Sequence, residues 1–320
     1  MSEQDRNIDK GRRNVLRGAV AAGVAAAALP NVAGAATKMP MRFDDPEWNR
    51  DAFARLQGNM DFGTVKHGWY GGTVMGMRDN EPLKPLFGFE GFSSTRLLDN
   101  GDGSYQKLLR ETVYYTDLAT GEVLESWYNP YIDEEVRVVP VTNDPFNIVI
   151  EKWYPGGPTY GGLREKDKNR RPMILPFKII SDDTVALATD IHLYYPSALQ
   201  PEEWPRESAG KFVRVSELFR YVIPRDQLED PSVTSIEYTG AWSRVNPWMP
   251  WMLMGQAAGN TLYMGTMGGY NHLGMLSPKV RAYAEKHHPT YFDAPTEWEE
   301  PSLSSLEDYA RTQKPAPVKK

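Results

Sequence analysis

The sequence predicts a mainly β protein: a large antiparallel meander with a helix at each end. Three observations predict it. Stretches rich in Val, Ile, Tyr and Trp recur about every 10–14 residues between Lys66 and Tyr270, separated by turn residues. No long helical pattern lies between them, which disfavours a parallel sheet. The chain also holds 9 Trp and 17 Tyr, side chains that fill β cores and line pockets for ring-bearing ligands.

The first 35 residues are expected to be an address rather than part of the fold. A polar segment of both charge signs precedes Arg12 and Arg13, and residues 18–29 are then all Gly, Ala, Val or Leu. Those 12 positions fall short of the roughly 20 that span a bilayer. Pro30 breaks the run, and Ala33-Gly34-Ala35 offers the small-residue pattern read by signal peptidase. Paired arginines before a soft apolar core resemble a bacterial twin-arginine signal, so the expectation is a periplasmic product cleaved near Ala35. An alanine-rich amphipathic helix fits less well, because no polar stripe repeats at 3.6 residues.

The single domain is then expected over residues 36–312. Asp45 caps a first helix, Pro46 opens it and Gly58 ends it. Strands follow. The turn Asp99-Asn100-Gly101-Asp102-Gly103 joins 92–98 to 105–115, and Leu118–Gly121 leads to 123–128. Asn129-Pro130 turns the chain into 135–141, and Thr142-Asn143-Asp144-Pro145 is expected to end that strand before 146–154. A Pro/Gly-rich loop at 155–162 and a charged run at 164–171 interrupt the meander. Strands resume at 173–180, 184–195, 211–223, 233–245 and 260–270. Ser277 and Pro278 start a helix that stops before Pro289, a short one spans 304–311, and residues 313–320 are expected to be disordered. So many antiparallel strands must manage their edges. Closure into a calycin/lipocalin-like barrel does so best, with a two-sheet β-sandwich as the alternative.

Composition excludes whole classes of chemistry. Without residues 1–35 the chain keeps 31 of 36 basic and 39 of 42 acidic residues, a net charge of -8 that disfavours a nucleic-acid partner. Having no Cys, it has no disulfide, thiolate metal site or cysteine nucleophile. The segments "TGEVLESWYNPY" (120–131) and "NDPFN" (143–147) resemble a bacterial exported family, domain of unknown function 1838. The resemblance covers most of the mature chain and implies export by the twin-arginine route; it carries over no catalytic residue.

GxSxG, Walker, HExxH and GxGxxG patterns are lacking, so neither a cofactor nor a metal is expected. Candidates come instead from polar residues inside strands. In 211–223 one face reads Val213, Val215, Glu217, Phe219, Tyr221, Ile223, leaving Glu217 as its only charge. Burial would suit it for general acid or base work, with His192, which shares a face with Asp190 and Tyr194, as a second catalytic candidate. Arg110 and Glu111 stand on opposite faces of one strand, so one must point inward; Arg110 is the expected anchor for an anion. Tyr114, Trp127, Trp153, Tyr194, Tyr221 and Trp242 are the expected ligand-lining rings. The reading is a periplasmic binder of a hydrophobic or aromatic small molecule, and an acid–base enzyme (lyase, hydratase or isomerase) if catalytic. Its alternatives are a non-catalytic carrier or sensor, and a structural factor with no pocket. Expected partners are that small molecule, the twin-arginine export machinery and signal peptidase, with no stable membrane span.

Overall fold

A computed structural model describes residues 38–154, 171–299 and 303–318. The expected leader lies outside them, as do the 155–162 loop and the charged run up to residue 170. Helix α1, Pro46–Gln57, begins as its sequence dictates: Asp45 Oδ1 accepts the Glu47 N–H at 2.9 Å and the Trp48 N–H at 3.4 Å, and Pro46 takes the first turn. The Gly58 N–H closes it on the Ala54 carbonyl, and Trp48, Ala52 and Leu56 are buried in the main core.

Among the described residues eleven strands follow: β1 Lys66–Met77, β2 Lys84–Asp99, β3 Tyr105–Thr116, β4 Ser126–Asn129, β5 Glu134–Arg137, β6 Val141–Ile150, β7 Phe177–Ile179, β8 Thr184–Pro196, β9 Phe212–Pro224, β10 Tyr238–Asn246 and β11 Asn260–Tyr270. Nine of them form one antiparallel sheet in the order β6-β3-β2-β1-β11-β10-β9-β8-β7, and β4 and β5 pair separately. The sheet is thus two meanders joined where the first strand meets the last, in register from His67 opposite Tyr270 to Met77 opposite Asn260.

Strand β6 corrects the expected turn at Asn143-Asp144-Pro145: the chain runs straight through it. Among the described residues β6 is an edge strand, where a proline's missing N–H leaves no ladder bond broken, and the β3–β6 register shifts between Leu109 and Glu111. Helix α2, Arg225–Glu229, is an element the sequence pattern did not suggest.

On the outer face of β2 and β3, Phe92 and Tyr114 pack beneath helix α3, Pro278–His287, and the turn Pro289–Phe292, through Val280, Ala284 and Tyr291. Helix α4, Ser305–Thr312, starts with a capping box between Ser304 and Glu307 and lies beside β6. Beyond it, the segment expected to be disordered is placed as far as residue 318: the Ala316 N–H donates to Glu207 Oε1 at 2.6 Å and Arg206 Nη1 to the Pro317 carbonyl at 3.2 Å. No helix among the described residues is long and apolar enough to cross a membrane.

The sheet is curled. Glu111 on β3 and Glu217 on β9 are separated by five strand spacings, about 24 Å in a flat sheet, yet they line one cavity. Curling stops short of a closed ladder, since β6 and β7 share none among the described residues. Two backbone bonds bring the edges together just beyond the strands, from the Tyr154 N–H to the Arg171 carbonyl at 2.9 Å and from the Met173 N–H to the Lys152 carbonyl at 2.8 Å. Trp153 and Pro172 sit opposite each other in this seam.

Candidate functional site

Inside the curl lies a cavity of about 780 Å³, large enough for a drug-sized ligand. Period-two geometry decides who faces it. Lys107, Leu109, Glu111 and Tyr115 come from one face of β3; Val213, Val215, Glu217, Phe219 and Tyr221 come from one face of β9. Arg244 enters from β10, Tyr263 and Met267 from β11, and Gln57 from the end of α1. The loop carrying Trp248, Met249 and Trp251 supplies a further, aromatic part of the lining.

Charged side chains set into this lining include Glu217, Arg244, Glu111 and Lys107. The Glu217 carboxylate accepts the Trp242 indole N–H at 3.1 Å and stands 3.8 Å from Arg244 Nη1. Burial works against the Arg244 charge, but Glu217 and then Tyr263, Tyr115 and Tyr195 outweigh it and hold the guanidinium above its ordinary value. Burial, with the charge of Glu217 added, pushes Glu111 up from the ordinary carboxylate range, while Asn143 Nδ2 donates to its Oε1 at 3.2 Å. Burial lowers Lys107 to about 8, and its ammonium donates to Gln57 Oε1 at 2.7 Å. Gln57 Nε2 in turn donates to the Tyr221 hydroxyl at 3.2 Å. The Tyr115 and Tyr263 hydroxyls are committed to each other at 2.9 Å and to Met249 Sδ.

Several polar atoms here have no hydrogen-bond partner among the described residues. Arg244 Nε, Trp251 Nε1, Asn246 Oδ1 and Glu207 Oε2 are buried without a hydrogen bond among the described residues, and all four belong to the lining. Each such group costs about 1–3 kcal/mol, a cost that proteins generally offset with water or a ligand.

The candidates from sequence divide. Glu217 and Tyr221 line the cavity, and Trp242 packs against Tyr70, Phe89 and Tyr263 while its N–H orients Glu217. His192 borders the cavity, but its side chain turns away from Glu217. Ile191 is the residue opposite Glu217, so His192, opposite Ser216, turns to the outer face, 3.0 Å from Ser216 Oγ and 3.1 Å from Asp190. Tyr194 lies on that outer face too, 59% exposed and stacked on Phe212. Arg110 points outward, where its guanidinium donates to the Thr290 carbonyl at 3.2 Å; Glu111 is the inward member of the pair. Tyr114 is buried on the outer face and bonded to His288 at 2.8 Å. Trp127 packs against Phe87 and Trp251 in the core, and Trp153 belongs to the seam.

Sequence reasoning missed Lys107, Arg244 and Gln57. The parity that singled out Glu217 also places Lys107 with Glu111 and Tyr115, and Arg244 with Trp242. Only Gln57, brought in by the end of a helix, had no such signal.

These features define a mainly β protein whose curled antiparallel sheet surrounds a cavity with aromatic walls and charged groups. The chain belongs to the family described as protein of unknown function (DUF1838), whose model matches residues 64–313. That match begins just before β1 and ends just after α4, so it takes in the sheet and the whole lining apart from Phe53 and Gln57 of α1. A comparison with curated proteins finds no match.

Proposed function

We propose that this protein is a periplasmic, cofactor-independent acid–base enzyme that binds an apolar or aromatic small molecule inside an incompletely closed, calycin/lipocalin-like barrel. The carrying observation is the pairing of Glu217 and Glu111 in one cavity with Arg244, Lys107 and a tyrosine-rich wall. A carrier of hydrophobic ligands needs apolar walls alone; buried carboxylates beside an arginine are costly to keep and suit proton transfer. Glu217, fixed by the Trp242 N–H and Arg244, is the base. Glu111, raised by burial and by Glu217, is the acid. A proton removed at one ligand atom and returned at another gives isomerisation; with water lost or gained, the same pair serves elimination or hydration. Twin-arginine export and cleavage near Ala35 complete the proposal, supported by the sequence of the leader.

The test is a thermal-shift screen of aromatic and terpenoid acids, followed by proton NMR of each binder in deuterated water with the protein. Deuterium incorporation or conversion is expected, and Glu217→Gln is expected to slow it at least about 100-fold while melting close to wild type. Binding with no exchange would favour a carrier or sensor. Retained turnover in Glu217→Gln, or a large loss of its stability, counts against the assigned role.

A further inference from the structure

This inference rests on the cavity being a small-molecule site, and it names the ligand's chemistry. We propose that Arg244 is the anion receptor of the cavity and that the ligand is a ring-bearing carboxylic acid bound as its carboxylate.

The argument begins with what Arg244 lacks. Among the described residues its buried Nε has no acceptor and its nearest carboxylate, Glu217, is 3.8 Å from Nη1, beyond hydrogen-bond length. A guanidinium offers five N–H donors in a planar fork, so this one faces the cavity with its hydrogen-bonding capacity unspent. Glu217 is not free to close the gap, because the Trp242 N–H holds its other oxygen at 3.1 Å. A second buried donor, Trp251 Nε1, also lines the cavity, with the Tyr115 hydroxyl nearby but no acceptor in good hydrogen-bond geometry among the described residues. Unmet donors call for an acceptor-rich group, and a carboxylate matches a guanidinium with two parallel charge-assisted bonds where a neutral carbonyl offers one.

The rest of the lining describes the ligand's body. The Tyr263 ring lies under the guanidinium, its centroid 6.0 Å from Cζ, and Tyr115 and Trp251 pack ring to ring at 5.1 Å. With Tyr195, Met249 and Met267 they give flat, polarisable walls suited to an aromatic or similarly flat apolar skeleton. Glu217 then tunes acid affinity: its charge competes with the ligand's for the same guanidinium.

Calorimetric titration with 2-naphthoate and its uncharged partner 2-naphthamide tests this. The wild type is expected to bind the acid about tenfold or more tightly than the amide. Arg244→Gln is expected to erase that preference while changing amide affinity about twofold or less. Glu217→Gln, which keeps an acceptor for Trp242, is expected to tighten acid binding and leave the amide unchanged. Equal affinities in the wild type, or a preference that survives Arg244→Gln, overturn the proposal while the cavity reading stands. Binding of neither probe counts against both. If Arg244→Gln fails to fold by circular dichroism, the Glu217→Gln titrations decide alone, and unchanged acid affinity there overturns the proposal.

Discussion

Lys66 and Lys107 are buried cations, Lys107 against the cavity and Lys66 within the fold. Lys66, 2% exposed, donates its ammonium to the carbonyls of Arg55 at 3.0 Å and Ile236 at 2.5 Å, tying the end of α1 to the segment before β10. Burial pushes it down to about 7, and pushes Lys107 to about 8, against an ordinary lysine near 10.4. Between those values and the ordinary one the folded state binds fewer protons than the unfolded chain, so stability rises with pH. Buried tyrosines, pushed upward by burial, oppose this only once free tyrosine ionises near 10. The melting temperature is therefore expected to climb from about pH 7 to about pH 9, and Lys66→Met to flatten part of that climb. Calorimetric scans across this window check it; a flat wild-type profile refutes the assigned burial. Such residues mark the reach of single-residue reading. Parity alone makes Glu217 inward, but Arg110 and Glu111 are adjacent, and only the register of β3 against β2 and β6 decides between them.

At the scale of elements, turn and cap chemistry was the most legible signal. Asp45-Pro46 and Ser277-Pro278 start helices at the positions their side chains require, and the 99–103 turn joins β2 to β3. Edges were less legible, because a proline that would break a central strand is harmless in β6. Glycines inside strands carry a different message, close backbone approach. A Cβ on Gly240 would lie 2.1 Å from the Arg220 carbonyl oxygen on the neighbouring β9, and one on Gly72 would lie 2.1 Å from the Met264 carbonyl oxygen. Backbone cannot yield as a side-chain tip can, so the strands must separate or the curl must open. Gly240→Ala is expected to cost about 1–3 kcal/mol, read as a lower urea midpoint with an unchanged slope. A midpoint equal to wild type shows that the sheet bends elsewhere.

For the whole molecule, the decisive contacts are far apart in sequence and invisible to local pattern. The β1–β11 pairing joins residues 66–77 to 260–270, and the cavity exists only because the curl brings β3 and β6 round toward β8 and β9. No alternation of apolar and polar residues encodes which strand meets which, so a barrel-or-sandwich choice could not be settled from the chain alone. The seam at Trp153 and Pro172 holds the two edges of the sheet together, and it offers a direct probe of the curl. Residues opposed across an antiparallel bridge have Cα atoms about 4.5–5.5 Å apart, within the span of a disulfide. The chain has no cysteine to interfere. The double variant Trp153→Cys with Pro172→Cys is therefore expected to oxidise to an intramolecular crosslink, seen as a thiol count of zero and faster gel mobility. Closing that loop removes freedom from the unfolded chain worth about 3 kcal/mol, so the oxidised form should melt above its own reduced form. Comparing those two redox states of one variant cancels the packing lost with the Trp153 ring. Free thiols that persist under oxidant place the two edges apart, and a cavity enclosed by them cannot then be the site of binding.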